Sequence, residues 1–452
     1  MTNTFHNHLR DHSDGRPDRR RVASARAIAG AAAIVAALSL AACSSSDGGG
    51  GSQSAGGATT LKVAMWDAAE ATSQVQPLID QFQKENPTIK VEVNAIPFSD
   101  FEQKLLQQLR AGQSPDVVQT FGNYTADFAA AGALAPLDDL ANASYKSQMT
   151  DQLLQTGVID GKLVAVPWAV QPVGLWYNKK IMSQAGLDPN KPPTTVDELM
   201  SDLAAVKAKA PGVIPMGIDS TNRVFGLDVN FPWIKAFGAS PIENDRAGAE
   251  SSGMKGYLDF MRTLGTKGYT EINQKIGYFR PLAAQNKVAF IEDQSILEAT
   301  IKANATKLTN DEFNATWGVV KMPAGQDGKS YSVPQDHQLA VMKATTHKNE
   351  AWTFVQWMTR SEAADVHVIK NKSAFPAATT LPQAAQSLLD QDKALQYFRT
   401  DITPTTVRPS WGPKYAKASA PIMIGVQQAM TSGKSTDAIA SEMQAGLTSA
   451  LQ

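Results

Sequence analysis

Cys43 is the only thiol in the 452 residues, and its position gives it a chemistry that a lone cysteine seldom has. It follows Leu40-Ala41-Ala42 at the end of an apolar stretch, Ala27 to Ala42, which Arg19, Arg20, Arg21 and Arg26 precede. A basic segment, an apolar segment and a small-residue exit mark a secretory leader that is cut away, whereas a lone cysteine elsewhere is usually a small buried hydrophobe. Other reactive constellations are missing from the sequence. There is no Gly-x-Ser-x-Gly elbow, no His-Glu-x-x-His and no glycine loop of the phosphate-cradling kind. Beyond the leader only His337, His347 and His367 remain, too few and too scattered for a His-rich metal centre. Aspartate and glutamate are abundant, so a glycoside-acting pair of carboxylates at about 5 to 9 Å stays open as an alternative.

The stretch ending in Cys43 resembles the lipobox of bacterial lipoproteins, in which the cysteine becomes the lipidated first residue. That implies a signal peptide over 1–42 and, over 43–58, a lipidated cysteine with a flexible Ser/Gly tether running through Ser44-Ser45-Ser46-Asp47-Gly48-Gly49-Gly50-Gly51-Ser52. Two acyl chains on one cysteine anchor a protein stably, and about 15 flexible residues span roughly 20 Å. The expected location is outside the cytoplasm, held at the cell membrane through Cys43. The leader takes six of the 42 basic and three of the 43 acidic residues with it, leaving a net charge near −4. With no basic patch of the kind that neutralises phosphates, nucleic acid is excluded as a partner. With no second cysteine there is no internal disulfide, so an exported chain of this size must stand on its apolar core. The length allows two or three domains or lobes.

The elements that would position a site follow from periodicity. Leu61 to Trp66 is an apolar-rich run, and Val75, Leu78, Ile79 and Phe82 then recur at helical spacing until Asn86-Pro87. Ile89, Val91, Val93 and Ala95 alternate as a strand does, and Ser99 with Glu102 predicts a capping box before Phe101, Leu105, Leu106 and Leu109. With Asp116 to Thr120 as a third strand, the opening reads β-α-β-α-β, which implies parallel pairing. Asp160-Gly161 signals a hairpin, Gly174 to Asn178 and Val288 to Ile291 are expected strands, and a second capping box spans Thr195 to Glu198. Between about 212 and 321 the periodic signal is weaker. From Asn349 onward the chain is expected to be almost entirely helical.

Read together, these stretches resemble the family of extracellular sugar-binding proteins that deliver solutes to ABC importers. The resemblance rests on Pro77-Leu78-Ile79-Asp80-Gln81-Phe82 with Asn86-Pro87, on Ala111-Gly112-Gln113-Ser114-Pro115-Asp116-Val117-Val118, and on Ala131-Gly132-Ala133-Leu134-Ala135-Pro136-Leu137. It continues through Val166-Pro167-Trp168, Tyr177-Asn178-Lys179, Ala185-Gly186-Leu187, Pro193 to Leu199, Lys348-Asn349-Glu350-Ala351-Trp352 and Arg408-Pro409. The order holds across the mature chain. It implies an α/β fold of two lobes, of the periplasmic-binding-protein kind, with a hinge and an interlobe cleft. Lobe 1 would be 59–170 with 323–346, and lobe 2 would be 171–322 with 347–452. The implied activity is capture of a mono- to oligosaccharide and its delivery to permease subunits, by a monomer without cofactor, metal or catalysis. A same-fold binder of another solute, such as a metal or polyamine, is a further alternative.

The resemblance also implies the site. Trp66, Asp67 and Glu70 follow the first strand, Asn123 and Tyr124 the third, and Trp168 and Gln171 approach the hinge. Asp228 and Trp233 would come from the second lobe, and Asp293, Gln294, Asp336, Arg408, Trp411 and Tyr415 from later segments. Flat rings suit the C–H faces of a pyranose, and planar polar groups suit its paired hydroxyls. Trp352 and Trp357 fall in a helical pattern and are expected in the core. Trp168 and Trp233, beside Pro167 and Pro232, suit stacking on ligand as well as packing. Where relatives often carry Gly-Pro-Trp or Gly-Ser-Trp, this chain has Asp293-Gln294-Ser295-Ile296, so a usual stacking indole is missing. The polar Gln335-Asp336-His337-Gln338 stretch suggests extra hydrogen bonding or a charged group on the substrate.

Overall fold

A computed structural model describes residues 58–452 apart from 71, 305–307, 410, 412 and 413, and leaves out the side chains of 70, 72, 73, 99, 123 and 372. Cys43, the leader and the tether therefore lie outside the described residues. In chain order the strands that form the two main sheets are β1 (Thr59–Met65), β2 (Ile89–Ala95), β3 (Val117–Phe121), β4 (Val166–Val170), β5 (Gly174–Asn178), β6 (Ile214–Gly217), β7 (Val288–Asp293), β8 (Trp317–Val320), β9 (His337–Val341) and β10 (Phe375–Pro376). A six-stranded sheet has the order β10-β4-β9-β3-β1-β2, and a four-stranded sheet the order β8-β5-β7-β6.

The expected β-α-β-α-β opening is present: β1 pairs in parallel with both β2 and β3, across the helices Thr72–Glu85 and Phe101–Arg110. β3 and β4 are buried at every residue, as interior strands covered on both faces must be, while β2 at the edge is fully buried only at Ile89. β9 returns antiparallel between β3 and β4. Opposite it, Pro167 of β4 has no N–H to give the ladder, and the register slips between His337 and Gln338. Such a bulge re-aims side chains. His337 is left at the cleft, while Gln338 turns inward to Thr125 and Thr156.

The hairpin forms as expected, with Asp160 and Gly161 both at positive φ, the turn that an Asp-Gly pair accommodates. The Thr195–Glu198 capping box forms too. At the Ser99–Glu102 box the Ser99 side chain lies outside those described. A short 3-10 turn takes Phe98–Asp100, Asp100 stands at the helix N-cap and pairs with Lys104 at 3.1 Å, and the Glu102 carboxyl is hydrogen-bonded to Asp127.

The chain leaves the first sheet at β4, enters the second at β5, and comes back at β9. The crossing segments lie against one another: Ser332 Oγ donates to Val173 O at 2.6 Å, and Val407 N donates to Ser332 O at 2.8 Å. A third crossing was expected near Thr346, but residues 348–376 stay with the six-stranded sheet. Phe354 of the helix Lys348–Arg360 meets Phe82 at 5.0 Å, and β10 pairs with β4. The apolar face of that helix, Ala351, Phe354, Val355 and Met358, finds its core there. β10 also interrupts the expected run of helices. The C-terminal helices Lys414–Thr431 and Thr436–Leu451 pack with Ser252–Thr266 in the second core, around Met254, Leu258, Ile422, Val426 and Ile439.

Candidate ligand-binding site

The carboxyl ends of parallel strands are where α/β sheets bind ligands, and β1 and β3 end on Trp66, Asp67 and Phe121. Together with Gln171 after β4 and His337 at the bulge, they form one wall of a cavity of about 470 Å³. Helix starts from the other sheet's lobe form the facing wall: Arg223 and Phe225 at Val224–Ala236, Lys275 to Gly277 with Arg280 at Ile276–Ala284, and Gln294 with Ile296 at Ile296–Asn304. That volume falls within the usual size of a small-molecule site, roughly 300–1,000 Å³.

On the first wall Trp66 is edge-on to Phe101 at 4.9 Å, His337 at 5.2 Å and Phe98 at 5.5 Å, so its ring is held from behind by aromatic packing. Asp67 N donates to Gln119 Oε1 at 3.3 Å, Gln119 Nε2 lies 3.3 Å from His337 Nδ1, and that nitrogen is 4.0 Å from Asp67 Oδ1. On the second wall two buried carboxylates hold two guanidinium groups from behind. Asp293 accepts from Arg280 Nε and Nη2, both at 2.8 Å. Asp219 pairs with Arg223 and also accepts from Thr221 Oγ1 at 2.6 Å and Ile276 N at 3.1 Å. Burial pulls the Arg280 guanidinium down, but Asp293 and Asp219 outweigh it and hold it above its ordinary range. Phe225 lies half-buried under Arg223, its ring centroid 4.8 Å from the guanidinium carbon.

A second cavity of about 210 Å³ adjoins the first through Phe121 and Gln335, and is lined further by Thr156, Asp228 and Arg408. Arg408 pairs there with Asp336, and burial draws the guanidinium down to about 10 despite the nearby Asp228 carboxylate and Tyr415. Asp228 accepts from the Tyr415 hydroxyl at 2.6 Å. Trp411 lines a third cavity, which shares Arg408 and Pro409 with the second.

The expected site residues divide accordingly. Trp66, Asp67, Gln171 and Gln294 line the main cavity, Asp228 and Arg408 the second, and Trp411 the third. Asp293, Asp336 and Tyr415 stand behind them as partners of Arg280, Arg408 and Asp228. Tyr124 lies in an aromatic cluster, 4.5 Å from Phe121, its hydroxyl pushed up to about 12 by burial and the surrounding carboxylates. The two indoles open to a stacking role, Trp168 and Trp233, are packed instead. Trp233 is fully buried, stacks on Phe260 at 5.1 Å and donates its Nε1–H to Glu292. Trp168, 1 % exposed, lies parallel to the His367 ring at 6.2 Å within the core of the first sheet. Trp352 is in that core as expected, and Trp357 packs half-buried against it with its Nε1–H on Glu85 at 2.6 Å. The side chains of Glu70 and Asn123 lie outside those described.

Arg223, Phe225, Lys275, Arg280 and His337 belong to the cavity and were not among the expected site residues. The first four come from the middle of the chain, where periodicity is weak and a cation just before a helix looks like a solvated end. Only His337 had a signal, in the polar stretch around Asp336.

Two sheets joined by crossing strands, with a cavity walled by strand ends on one side and helix starts on the other, define a two-lobe solute-binding protein. Residues 67–365 match the family of bacterial extracellular solute-binding proteins, and the chain belongs to it. Over 304 residues it is 25 % identical to a binding protein of Brucella abortus, spanning 65 % of this chain and 71 % of that one. It is 27 % identical to the maltotriose-binding protein of Pyrococcus abyssi, over 66 % of this chain and 62 % of that protein. The sn-glycerol-3-phosphate-binding periplasmic protein UgpB of Yersinia pestis is 26 % identical, over 71 % and 74 %. Among solved structures, a solute-binding protein of Thermotoga lettingae bound with α-D-tagatose superposes with a TM-score of 0.75 at 22 % identity, covering 87 % of this chain and all of that one. UgpB of Mycobacterium tuberculosis in complex with glycerophosphocholine gives 0.74 at 19 % identity, covering 87 % and 99 %.

Proposed function

We propose that this chain captures a carbohydrate in the cleft between its lobes and delivers it to the permease of an ABC importer, acting as a monomer tethered outside the cytoplasmic membrane through lipidated Cys43. The observation that carries the reading is the main cavity itself: Phe98 and Phe225 offer apolar surface, and Gln171, Gln294, His337, Asn371 and the two fixed guanidinium groups offer planar hydrogen-bonding edges around it. That combination suits a sugar ring. Binding without chemistry is favoured because Asp67 is the one carboxylate among the described residues lining this cavity, whereas glycoside cleavage needs two across the bond. Crossing segments between two sheets suit a hinge, and closure follows when ligand binds the closed state more tightly.

A thermal-shift panel of mono- to oligosaccharides, run beside a reducing-sugar release assay, tests the proposal. A shift without release supports it, and release with turnover would favour an enzyme. For the anchor, Cys43→Ala should move the protein out of the detergent phase or leave its leader uncut. If it stays with membranes at unchanged mature mass, the anchor is wrong.

A further inference from the structure

We infer that the ligand carries a negatively charged group, a carboxylate or a phosphate ester, which docks on the cationic wall of the main cavity at Lys275, Gly277 and Arg280. This rests on the reading of the cleft as a polyol site and names the class of polyol. Lys275, Arg280 and Arg223 come to the cavity surface from the same wall, where no carboxylate among the described residues lines it; Asp67 lines it from the opposite wall. The carboxylates that pair the two arginines lie behind them. Asp219 is fully buried and Asp293 is 3 % exposed, and both are further engaged by neighbouring donors at Thr221, Ile276 and Gln294. They act as braces. Each guanidinium spends its Nη2 edge, and Arg280 and Arg223 also their Nε–H groups, on those braces or on Thr221, which leaves Nη1 for the cavity.

Lys275 is exposed at the N-cap of the helix Ile276–Ala284 with no side-chain cap bond, so its ammonium and the first turn of the helix present positive charge to the same space. Gly277, the second residue of that turn, lines the cavity, and a Cβ there would meet nothing within 4 Å. A ligand oxygen can therefore approach the backbone at Gly277, between Ile276, whose N–H is given to Asp219, and Tyr278, whose N–H is given to Lys275 O. On the opposite wall Asp67, the one carboxylate among the described residues lining the site, lies 4.0 Å from His337. A neutral sugar needs none of these cationic groups. An anion would use them, because charge-assisted hydrogen bonds are about twice as strong as neutral ones.

The test uses matched pairs on the intact mature chain, titrated calorimetrically at low and moderate salt: glucose against glucuronate, glucose against glucose 1-phosphate, and glycerol against sn-glycerol 3-phosphate, beside neutral oligosaccharides. In at least one pair the charged member should bind tenfold or more tighter than the neutral one, with the advantage shrinking as salt rises. Lys275→Gln should reduce that ratio about tenfold while Lys275→Arg retains it, and the pair that responds tells carboxylate from phosphate ester. The inference is overturned if neutral sugars bind as tightly as their charged counterparts, or if Lys275→Gln leaves the ratio unchanged. A panel silent throughout would instead overturn the polyol reading, and this one with it.

Discussion

Arg408 pairs with Asp336, a fully buried carboxylate that also accepts from Thr156 Oγ1 at 2.6 Å and Gln338 Nε2 at 2.8 Å. Thr156 and Gln338 belong to the side of the six-stranded sheet, whereas Arg408 follows Val407, whose N–H is bonded to the crossing segment at Ser332. The pair thus ties the crossings to the first lobe, with Gly122 leaving room for the guanidinium. Removing one partner of a buried ion pair strands the other, at a cost of about 3–5 kcal/mol. Arg408→Ala should lower the melting temperature of the ligand-free protein by several degrees, with Arg408→Lys intermediate. Unchanged melting would show that the pair does not hold the crossings.

Trp233 should act on stability and not on binding. Its Nε1–H is a donor to Glu292, which is 1 % exposed and which burial pushes well above the ordinary carboxylate range. Trp233→Phe keeps most of the ring and deletes that donor, so chemical denaturation should show a loss of about 1–3 kcal/mol. Ligand affinity should stay within twofold. A large loss of affinity with unchanged stability would return Trp233 to the site.

The Glu102–Asp127 pair predicts a pH dependence. Burial, and then the neighbouring Asp127 carboxyl, push Glu102 from its ordinary 4.5 up to about 7. The folded protein therefore keeps a proton that the unfolded chain has already released, so this contribution to stability is full below pH 4.5 and is lost as pH rises through 7. Asp202, raised to about 6, and Asp365, raised to about 7, slope the same way, so the difference between two proteins is the informative quantity. Melting temperature should fall from pH 5 to 7.5 less steeply in Glu102→Gln than in the unaltered protein. Parallel curves would place the titration elsewhere.

How far the fold was legible follows from where its signals are local. The alternation of Ile89 to Ala95, the helical stripe through Val75 and Phe82, the Asp160-Gly161 turn and the Thr195 capping box depend on near neighbours, and each formed. The carboxyl partner of Glu102, Asp127 in a later helix, is one that no local pattern discloses. The helix Lys348–Arg360 has an apolar face visible in sequence, yet which sheet that face covers is decided in three dimensions, and it covered the first. The lining of the main cavity was legible at Trp66, Asp67, Gln171 and Gln294, where chain order carries the position. It was not legible at Arg223, Lys275 and Arg280, whose role depends on the helix starts turning to the cleft, nor in the choice between core and ligand for Trp168 and Trp233.

The most direct test of the account is calorimetric titration of the best sugar from the panel into the unaltered protein and Phe225→Ala. Phe225 is half-buried and lines the main cavity on the wall opposite Trp66, so its loss should remove contact with ligand more than core. The account predicts single-site binding in the unaltered protein, and in Phe225→Ala an affinity about 30-fold weaker, on the order of 2 kcal/mol, with ligand-free melting nearly unchanged. Equal affinity in the two proteins would contradict it, because the ligand would then be seated somewhere other than this cavity.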